Sequence, residues 1–280
     1  MKVFISVDME GITALTDPED VLPGGADYER GRVFMTSDAN GAILGAFDAG
    51  ADEVLVNDSH WTARNLLLEQ LDPRARSIKG FHRPMCMVHG LDETFDAAVF
   101  VGYHSCAGTE GGVLNHTLLG KEVQNLLLNG EPIGETRLNA LMAGHYGVPV
   151  AFVAGDAAVC REATSVLGDD LPTYAVKDGI DMFVANCLHP DVTKQGIREG
   201  VAAALRNISS REPYRMEPPY TFGLEWNSTT IASTCEYIPS IKKPSPRTTE
   251  YTTADLPEAM RVIFAQCIFA LQVGQKGIYS

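Results

Sequence analysis

Two carboxylates follow the first apolar run of the chain. Asp8 and Glu10 come after residues 3–7, and Gly11 follows them. In extended backbone, residues two positions apart point to the same side, so these two carboxylates would converge. Paired carboxylates repel each other unless a proton or a cation lies between them. A divalent metal ion is the usual solution, and the pair is therefore a candidate metal site.

Polar side chains also follow two further apolar runs. Asp58 and His60 come after residues 53–56, and His104 comes after residues 97–101. Ligand sites of open α/β sheets form at the carboxyl ends of the strands. A single histidine in such a place is more commonly a hydrogen-bonded structural residue. Three strand ends that all carry metal-binding side chains favour a shared metal site instead.

His116 and Glu135 are two further candidates whose roles the pattern leaves open. His116 lies twelve residues after His104, across a glycine-rich segment. It can be a further metal ligand, a general acid or base, or a structural residue. Glu135 begins a predicted helix, where the helix dipole alone already accounts for an acidic residue.

The apolar runs that precede these side chains are typical of strands, and helical patterns lie between them. The runs lack strict alternation, which indicates strands buried on both faces, as in a parallel sheet. Alternating strands and helices predict a three-layer α/β/α fold with a mostly parallel central sheet. The predicted strands are residues 3–7, 53–56, 97–101 and 148–154, and the predicted helices are residues 28–49, 136–146, 156–167 and 191–205.

One internal segment departs from this alternation. Residues 122–128 have the pattern of a strand, and the Asn129-Gly130 pair that follows is a strong signal for a tight turn between antiparallel strands. We therefore predict an antiparallel insertion in the main domain.

The chain also changes character near its C-terminal end. Residues 209–219 are rich in proline and predict a linker. We therefore predict a metal-binding catalytic α/β domain of residues 1–208 and a smaller C-terminal α+β subdomain of residues 209–280. The elements predicted after the linker are strands at residues 222–226, 229–237 and 248–253 and a helix at residues 256–271.

Composition restricts the partners and the compartment. The formal net charge is −14, and such a surface repels nucleic-acid phosphates. The six cysteines include no Cys-x-x-Cys pair, which is typical of free thiols in a reducing compartment. The first residues show no signal-peptide pattern, and no apolar stretch approaches membrane-spanning length. We expect a cytoplasmic protein that binds neither nucleic acid nor membranes.

Signatures of several other chemistries are missing from the sequence. It contains no Gly-x-Ser-x-Gly elbow, no Walker A loop, no Gly-x-Gly-x-x-Gly after a strand and no His-Glu-x-x-His. These absences disfavour serine hydrolases, nucleotide-binding proteins and thermolysin-like proteases.

Several short motifs, in a fixed order, resemble a known family. The motifs are Ser6-Val7-Asp8-Met9-Glu10-Gly11, Tyr28-Glu29-Arg30-Gly31-Arg32, Val54-Leu55-Val56-Asn57-Asp58-Ser59-His60, Gly102-Tyr103-His104, Asn115-His116, and Pro132-Ile133-Gly134-Glu135 with Leu138-Asn139-Ala140. Together they resemble the D-aminopeptidases of the dipeptide-operon type, peptidase family M55. The similarity runs over most of the chain and is most specific in its first half.

The resemblance implies a role for each candidate side chain. Five side chains would hold two zinc ions, with Asp8 as the bridging ligand, and His116 matches the family's catalytic histidine. The resemblance also implies a ring-shaped homodecamer whose active sites face an inner chamber. The five implied ligands are Asp8, Glu10, His60, His104 and Glu135.

These inferences predict a zinc-dependent aminopeptidase that releases N-terminal, D-configured residues from short peptides with a water activated by two metal ions. The oxygen and nitrogen ligand set also suits manganese or cobalt. We expect His116 to act as acid, base or oxyanion stabiliser rather than as a covalent nucleophile. The alternatives are another two-metal hydrolase, such as an amidase or a phosphoesterase, and a non-catalytic peptide-binding accessory protein. No obvious cluster of arginines and lysines accompanies the candidate site, which disfavours a phosphoesterase.

Overall fold

The computed structural model describes residues 1–274, which form twelve strands and seven α-helices. The strands are β1 (Lys2–Val7), β2 (Glu53–Asp58), β3 (Arg76–Ile78), β4 (Ala97–Tyr103), β5 (Val123–Leu128), β6 (Glu131–Ile133), β7 (Val150–Asp156), β8 (Thr173–Asp181), β9 (Val184–Cys187), β10 (Tyr220–Trp226), β11 (Lys242–Ser245) and β12 (Thr248–Thr253). The helices are α1 (Pro18–Val21), α2 (Tyr28–Asp48), α3 (Glu135–His145), α4 (Ala157–Leu167), α5 (Pro190–Arg206), α6 (Thr229–Cys235) and α7 (Leu256–Gly274).

The first sheet has seven strands in the order β3-β2-β1-β4-β7-β8-β9, and only β9 runs antiparallel to its neighbour. Alternate side chains of its central strands enter two different apolar clusters. Ile5 and Val99 pack with residues of α2 and α5, whereas Phe4 and Phe100 pack with residues of α3 and α7. Burial on both faces explains why the sequence runs show no alternation. The predicted α/β fold with a mostly parallel sheet is confirmed.

The second sheet has five antiparallel strands in the order β11-β12-β10-β5-β6. Asn129 and Gly130 both have positive φ, 52° and 87°, as the predicted turn between β5 and β6 requires. The predicted antiparallel insertion thus shares one sheet with the strands of the C-terminal part. The division into residues 1–208 and 209–280 stays a prediction, since this sheet takes strands from both sides of that boundary.

One of the elements predicted in the C-terminal part is wrong. The segment expected to be a strand at residues 229–237 contains helix α6, Thr229–Cys235. Ser228 caps this helix by accepting a hydrogen bond from the Thr230 N–H, and Ile231 and Cys235 are buried one helical turn apart. The threonine-rich composition suggested a strand, but the cap and the helical spacing of the apolar residues determined the conformation.

Helix α7 contradicts the expectation that no apolar stretch approaches membrane-spanning length. Among residues 1–274, Leu256–Val273 is the one helical segment long and apolar enough to cross a membrane by length and composition. Of this segment, 39% is buried inside the protein. Its buried side chains include Met260, Ile263 and Cys267, which recur at helical spacing and join the apolar cluster of α3 and the second sheet. This pattern is typical of a helix that packs one face on a core.

Candidate metal centre

Three neighbouring strands bring the candidate ligands to one edge of the first sheet. Strand β1 lies between β2 and β4 and is parallel to both, so their carboxyl ends meet. Asp8 follows β1 directly and donates its backbone N–H to the Val101 carbonyl of β4 at 2.8 Å. His60 and His104 follow β2 and β4. The parallel pairing therefore explains why side chains about fifty residues apart in the sequence lie together.

The turn after β1 is fixed by direct contact between two stretches of backbone. Gly11 donates its N–H to the Gly102 carbonyl at 2.8 Å, and a Cβ at Gly11 would lie 1.8 Å from the Tyr103 carbonyl oxygen. Only glycine fits in that space, which explains why Gly11 follows the carboxylate pair. The contact holds the turn that carries Glu10 against the end of the strand that precedes His104.

The three histidines of the site are oriented in the same way. One ring nitrogen of each lies at hydrogen-bond distance from a backbone carbonyl, which fixes the ring and leaves the other nitrogen free to face the carboxylates. The acceptors are the carbonyls of Val21 for His60 Nε2, Ser105 for His104 Nδ1 and Leu114 for His116 Nδ1, at 2.9, 3.0 and 2.9 Å.

The free nitrogens of two of these rings face the carboxylates closely. His60 Nδ1 lies 3.0 Å from Glu10 Oε2 and 3.5 Å from Asp8 Oδ1. His104 Nε2 lies 3.5 Å from Asp8 Oδ2 and 3.5 Å from Glu135 Oε1. The two oxygens of Asp8 thus face different histidines, with a second carboxylate beside each.

His116 differs from the other two histidines in its surroundings. Its ring stacks on His104, with centroids 4.1 Å apart and planes inclined by 14°, and its Nε2 lies 3.9 Å from Glu10 Oε1. The His116 side chain is 20% exposed, whereas that of His104 is 2% exposed. His116 therefore borders the cluster on the side that is open to solvent.

Glu135 reaches the cluster from the first position of α3, whose N-cap is Gly134. One of its carboxylate oxygens accepts the Leu118 N–H at 2.7 Å, just beyond His116. The helix dipole and the site therefore both favour an ionised carboxylate here.

Asp58, which also ends a predicted strand, does not join the cluster. Its carboxylate accepts the backbone N–H groups of Asn65 and Leu66 at 2.6 and 2.8 Å, and the Asn65 amide at 2.8 Å. Asp58 therefore stabilises the loop that follows His60.

Buried charge dominates the electrostatics of the cluster. Burial, followed by the charge of Glu10, raises the pKa of Asp8 to about 7. Although burial alone would lower it, the charge of Glu10 raises the pKa of His60 well above its ordinary value. Burial also opposes ionisation of Glu10, but His60 holds the pKa of that carboxyl well below its usual range. Carboxylates this close need a cation between them, and a divalent metal ion supplies more charge than one proton.

The donor atoms fit such an ion. Two groups of three side chains place one ligand atom each within 4.8 Å of the others: Asp8, Glu10 and His104 in one group, and His104, His116 and Glu135 in the second. Imidazole nitrogen and carboxylate oxygen are ligands that zinc uses in proteins. The structure thus brings together all five predicted ligands and His116.

Lys177, on β8, is a residue of the site that the sequence pattern did not indicate. It is 1% exposed, and its Nζ donates to the carbonyls of Glu10, Ile12 and Leu15 at 2.6, 2.8 and 2.5 Å. The lysine therefore holds the turn that presents Glu10. Lysine is rarely buried, so a sequence offers no signal for such a role.

The segment that leads to His116 is anchored at two adjacent residues. Val113 donates its N–H to Asp156 Oδ2 at 2.6 Å, and Leu114 donates its N–H to the Met182 carbonyl at 2.8 Å. The other oxygen of Asp156 accepts the Val159 N–H at 2.8 Å, so Asp156 is also the N-cap of α4. The position of His116 thus depends on the ends of β7 and β8.

Comparisons with known proteins agree with this geometry. The model of peptidase family M55, described as D-aminopeptidase, matches residues 1–265. A Bacillus subtilis (strain 168) protein named D-aminopeptidase is 38% identical over 273 residues, which cover 97% of this chain and 98% of that protein. A solved structure is described as the Zn-dependent D-aminopeptidase DppA from Bacillus subtilis, a self-compartmentalizing protease. It matches with a TM-score of 0.93 and 37% identity over 97% of this chain and 98% of that one. The chain therefore belongs to the D-aminopeptidases of peptidase family M55 and is a metallo-aminopeptidase.

Proposed function

We propose that this protein is a zinc-dependent aminopeptidase that removes N-terminal, D-configured residues from short peptides, with two metal ions in each subunit. The observation that carries the proposal is the convergence of three carboxylates and three oriented imidazoles at one sheet edge. A purely structural network would not require each imidazole to keep one nitrogen directed at the carboxylates.

The geometry supports an assignment of ligands to two metal positions. Asp8 would contribute to both positions, because its two oxygens face His60 and His104 separately. Glu10 and His60 would hold one metal ion with it, and His104 and Glu135 would hold the other. Two zinc ions, when bound, supply Lewis-acid polarisation of the scissile carbonyl and a water acidic enough to lose its proton near pH 7.

His116 is the catalytic histidine in this proposal. Its Nδ1 donates to the Leu114 carbonyl, so Nε2 carries the lone pair that faces the cluster. Burial, followed by the charge of His104, lowers the pKa of His116, which keeps the ring neutral near pH 7. His116 can then accept a proton from the attacking water and deliver it to the leaving amine. No covalent bond to the imidazole is needed.

The relatives support the finer parts of the proposal. One is named a D-aminopeptidase, and the other is described as zinc-dependent and self-compartmentalizing. We propose that this chain likewise prefers D-configured substrates and assembles with copies of itself. A ring of ten subunits and a cytoplasmic location are parts of the same proposal.

Elemental analysis and paired hydrolysis assays test the proposal. We expect two zinc ions in each subunit of the purified protein, and faster release of D-alanine from D-alanyl-D-alanine than of L-alanine from L-alanyl-L-alanine. One ion per subunit would contradict the two-metal centre. Equal rates on both peptides would contradict D-specificity. Hydrolysis of p-nitrophenyl phosphate without peptidase activity would favour the phosphoesterase, and peptide binding without turnover would favour the accessory protein.

A further inference from the structure

Exposed apolar side chains concentrate on one part of the surface. Residues 1–274 include eleven exposed large apolar side chains, and five of these lie within residues 180–192, where they are between 43% and 69% exposed. This segment covers the last two residues of β8, the turn to β9, the strand β9 and the first turn of α5. We call the five residues the hairpin patch; they are Ile180, Phe183, Val184, Leu188 and Val192. Five large exposed apolar side chains within one short segment are typical of an interaction site.

The backbone of the same region points to the same conclusion. Strand β9, Val184–Cys187, is the last strand of the first sheet, so no other strand among residues 1–274 pairs with its outer edge. Proteins usually protect such edges with lysine, proline or a covering segment. The sequence of β9, Val-Ala-Asn-Cys, carries neither a charge nor a proline, and residues 178–193 contain no lysine or arginine. This edge therefore lacks the usual protection against contact with another chain.

The hairpin also touches the loop of the candidate site. The Met182 carbonyl accepts the Leu114 N–H at 2.8 Å, two residues before His116. On the same strand, Gly179 packs so closely on Gly111 that a Cβ at Gly179 would lie 2.0 Å from the Gly111 carbonyl oxygen. The hairpin therefore supports the loop that carries His116.

We propose that the hairpin patch is a contact surface for a second copy of this chain, and that this contact holds the loop that carries His116 in its active position. The inference rests on the self-assembly proposed above and adds which surface is used and why assembly affects the site. His116 does not need a residue from the neighbouring copy. It needs the hairpin to remain docked on residues 111–114.

Several observations favour a second copy over a different protein. The self-compartmentalizing relative matches 97% of this chain, so a surface for contact between copies is expected within the shared fold. The patch is apolar and carries no basic residue, and permanent interfaces between subunits are more hydrophobic than transient ones.

The test compares two variants of the full-length, zinc-loaded protein. Phe183→Glu combined with Val184→Glu places two charges in the hairpin patch. Tyr237→Glu places one charge at a 79% exposed aromatic residue outside the patch and serves as the control. Mass is measured by analytical ultracentrifugation, zinc by elemental analysis, secondary structure by circular dichroism, and turnover with D-alanyl-D-alanine.

We expect the wild type and the Tyr237→Glu variant to share one mass well above the 30.3 kDa of a single chain. The patch variant should have a smaller mass, keep its zinc and helicity, and lose turnover by about 10- to 100-fold because His116 is displaced. An unchanged mass of the patch variant would refute the surface. A smaller mass with full turnover would refute the link to His116.

A monomeric wild type would refute self-assembly together with this inference, yet it would leave the zinc peptidase proposal standing. If the double variant does not fold, Ile180→Glu alone is measured in its place, because Ile180 is 69% exposed and is the least constrained member of the patch. The same comparison of mass and turnover then decides the outcome.

Discussion

The metal centre and the β8–β9 hairpin both depart from the usual distribution of polar and apolar residues between surface and interior, but in opposite directions. The centre buries three carboxylates and two histidines beside the partly exposed His116, whereas the hairpin exposes five large apolar side chains. Each arrangement costs free energy in an isolated chain, because buried charges need partners and exposed apolar surface orders water. In the proposals above, bound cations compensate the centre, and contact with a second copy compensates the hairpin.

Strand β8 joins these two regions. Lys177 lies on it and holds the turn that carries Glu10, and Met182, just past its end, supports the segment before His116. The same strand thus passes from a fully buried lysine to a largely exposed isoleucine within three residues, at Lys177 and Ile180. The site is thus built from the strand ends and supported from the hairpin.

The largest expected effect comes from removing the bridging carboxylate. Asp8→Asn should lose bound zinc and lower turnover by at least about 10⁴-fold, because metal activation supplies most of a rate enhancement that usually exceeds 10⁶-fold. Zinc content and hydrolysis of D-alanyl-D-alanine are the measurements. Asp169→Asn, at an exposed position, is the matched control and should change neither. Full zinc occupancy in the Asp8→Asn variant would show that the centre does not depend on this ligand.

The next effect distinguishes the histidine proposed as acid and base from a histidine proposed as a metal ligand. His116→Ala should keep both metal ions and lower turnover by about 10²- to 10⁴-fold, because general acid–base catalysis is lost. His104→Ala should lose zinc as well as turnover, since its Nε2 faces both Asp8 and Glu135. A trapped acyl-histidine in the mass spectrum of the wild type would instead make His116 a nucleophile. Loss of zinc from the His116→Ala variant would make it a ligand.

A smaller effect tests the support that Lys177 on β8 gives to the turn that carries Glu10. Lys177→Met should lower the free energy of unfolding by about 3–5 kcal/mol, because three buried carbonyls and the nearby Asp38 and Asp156 lose their cation. Urea titrations of the wild type and of the exposed control Lys79→Met measure the difference. A loss below about 1 kcal/mol would mean that water replaces the ammonium group without cost.

The smallest effect concerns the pH dependence of stability. Burial raises the pKa of Asp38 to about 6, so between about pH 4 and pH 6 the folded protein holds a proton that the unfolded chain has released. Stability from this group is therefore present at low pH and is lost as the pH rises through 6. The free energy of unfolding of the wild type, relative to Asp38→Asn, should fall by up to about 3 kcal/mol between pH 4 and pH 7. A flat difference would mean that Asp38 is ionised throughout.

The parts of the fold that the sequence could predict share one property. Strands β1, β2, β4 and β7 consist of apolar runs that are buried on both faces, and each run ends at a polar residue near the sheet edge. Local composition is therefore enough to predict these four strands. The candidate ligands follow from the same rule, because parallel strands bring their carboxyl ends together. Their assignment as metal ligands stays a prediction.

The parts that could not be predicted depend on tertiary contacts. Strand β8 contains Lys177, Asp178 and Gly179, which disfavour a strand locally, and pairing with β7 and β9 overrides that preference. The burial of Lys177 depends on carbonyls more than 160 residues away in the sequence. Helix α6 depends on the cap at Ser228 and on apolar packing, while its threonines favour a strand.

The position of β1 has a consequence for how the protein is made. This strand is synthesised before both strands that flank it in the sheet, where Lys2 is aligned with Glu53 and Val3 with Ala97. Strand β1 can therefore pair on one side only after β2 has been synthesised, and on the other side only after β4 has followed. Because Asp8 donates its N–H to Val101 of β4 and the other proposed ligands extend to Glu135, the proposed zinc site can form only after these segments have been synthesised and the sheet has assembled.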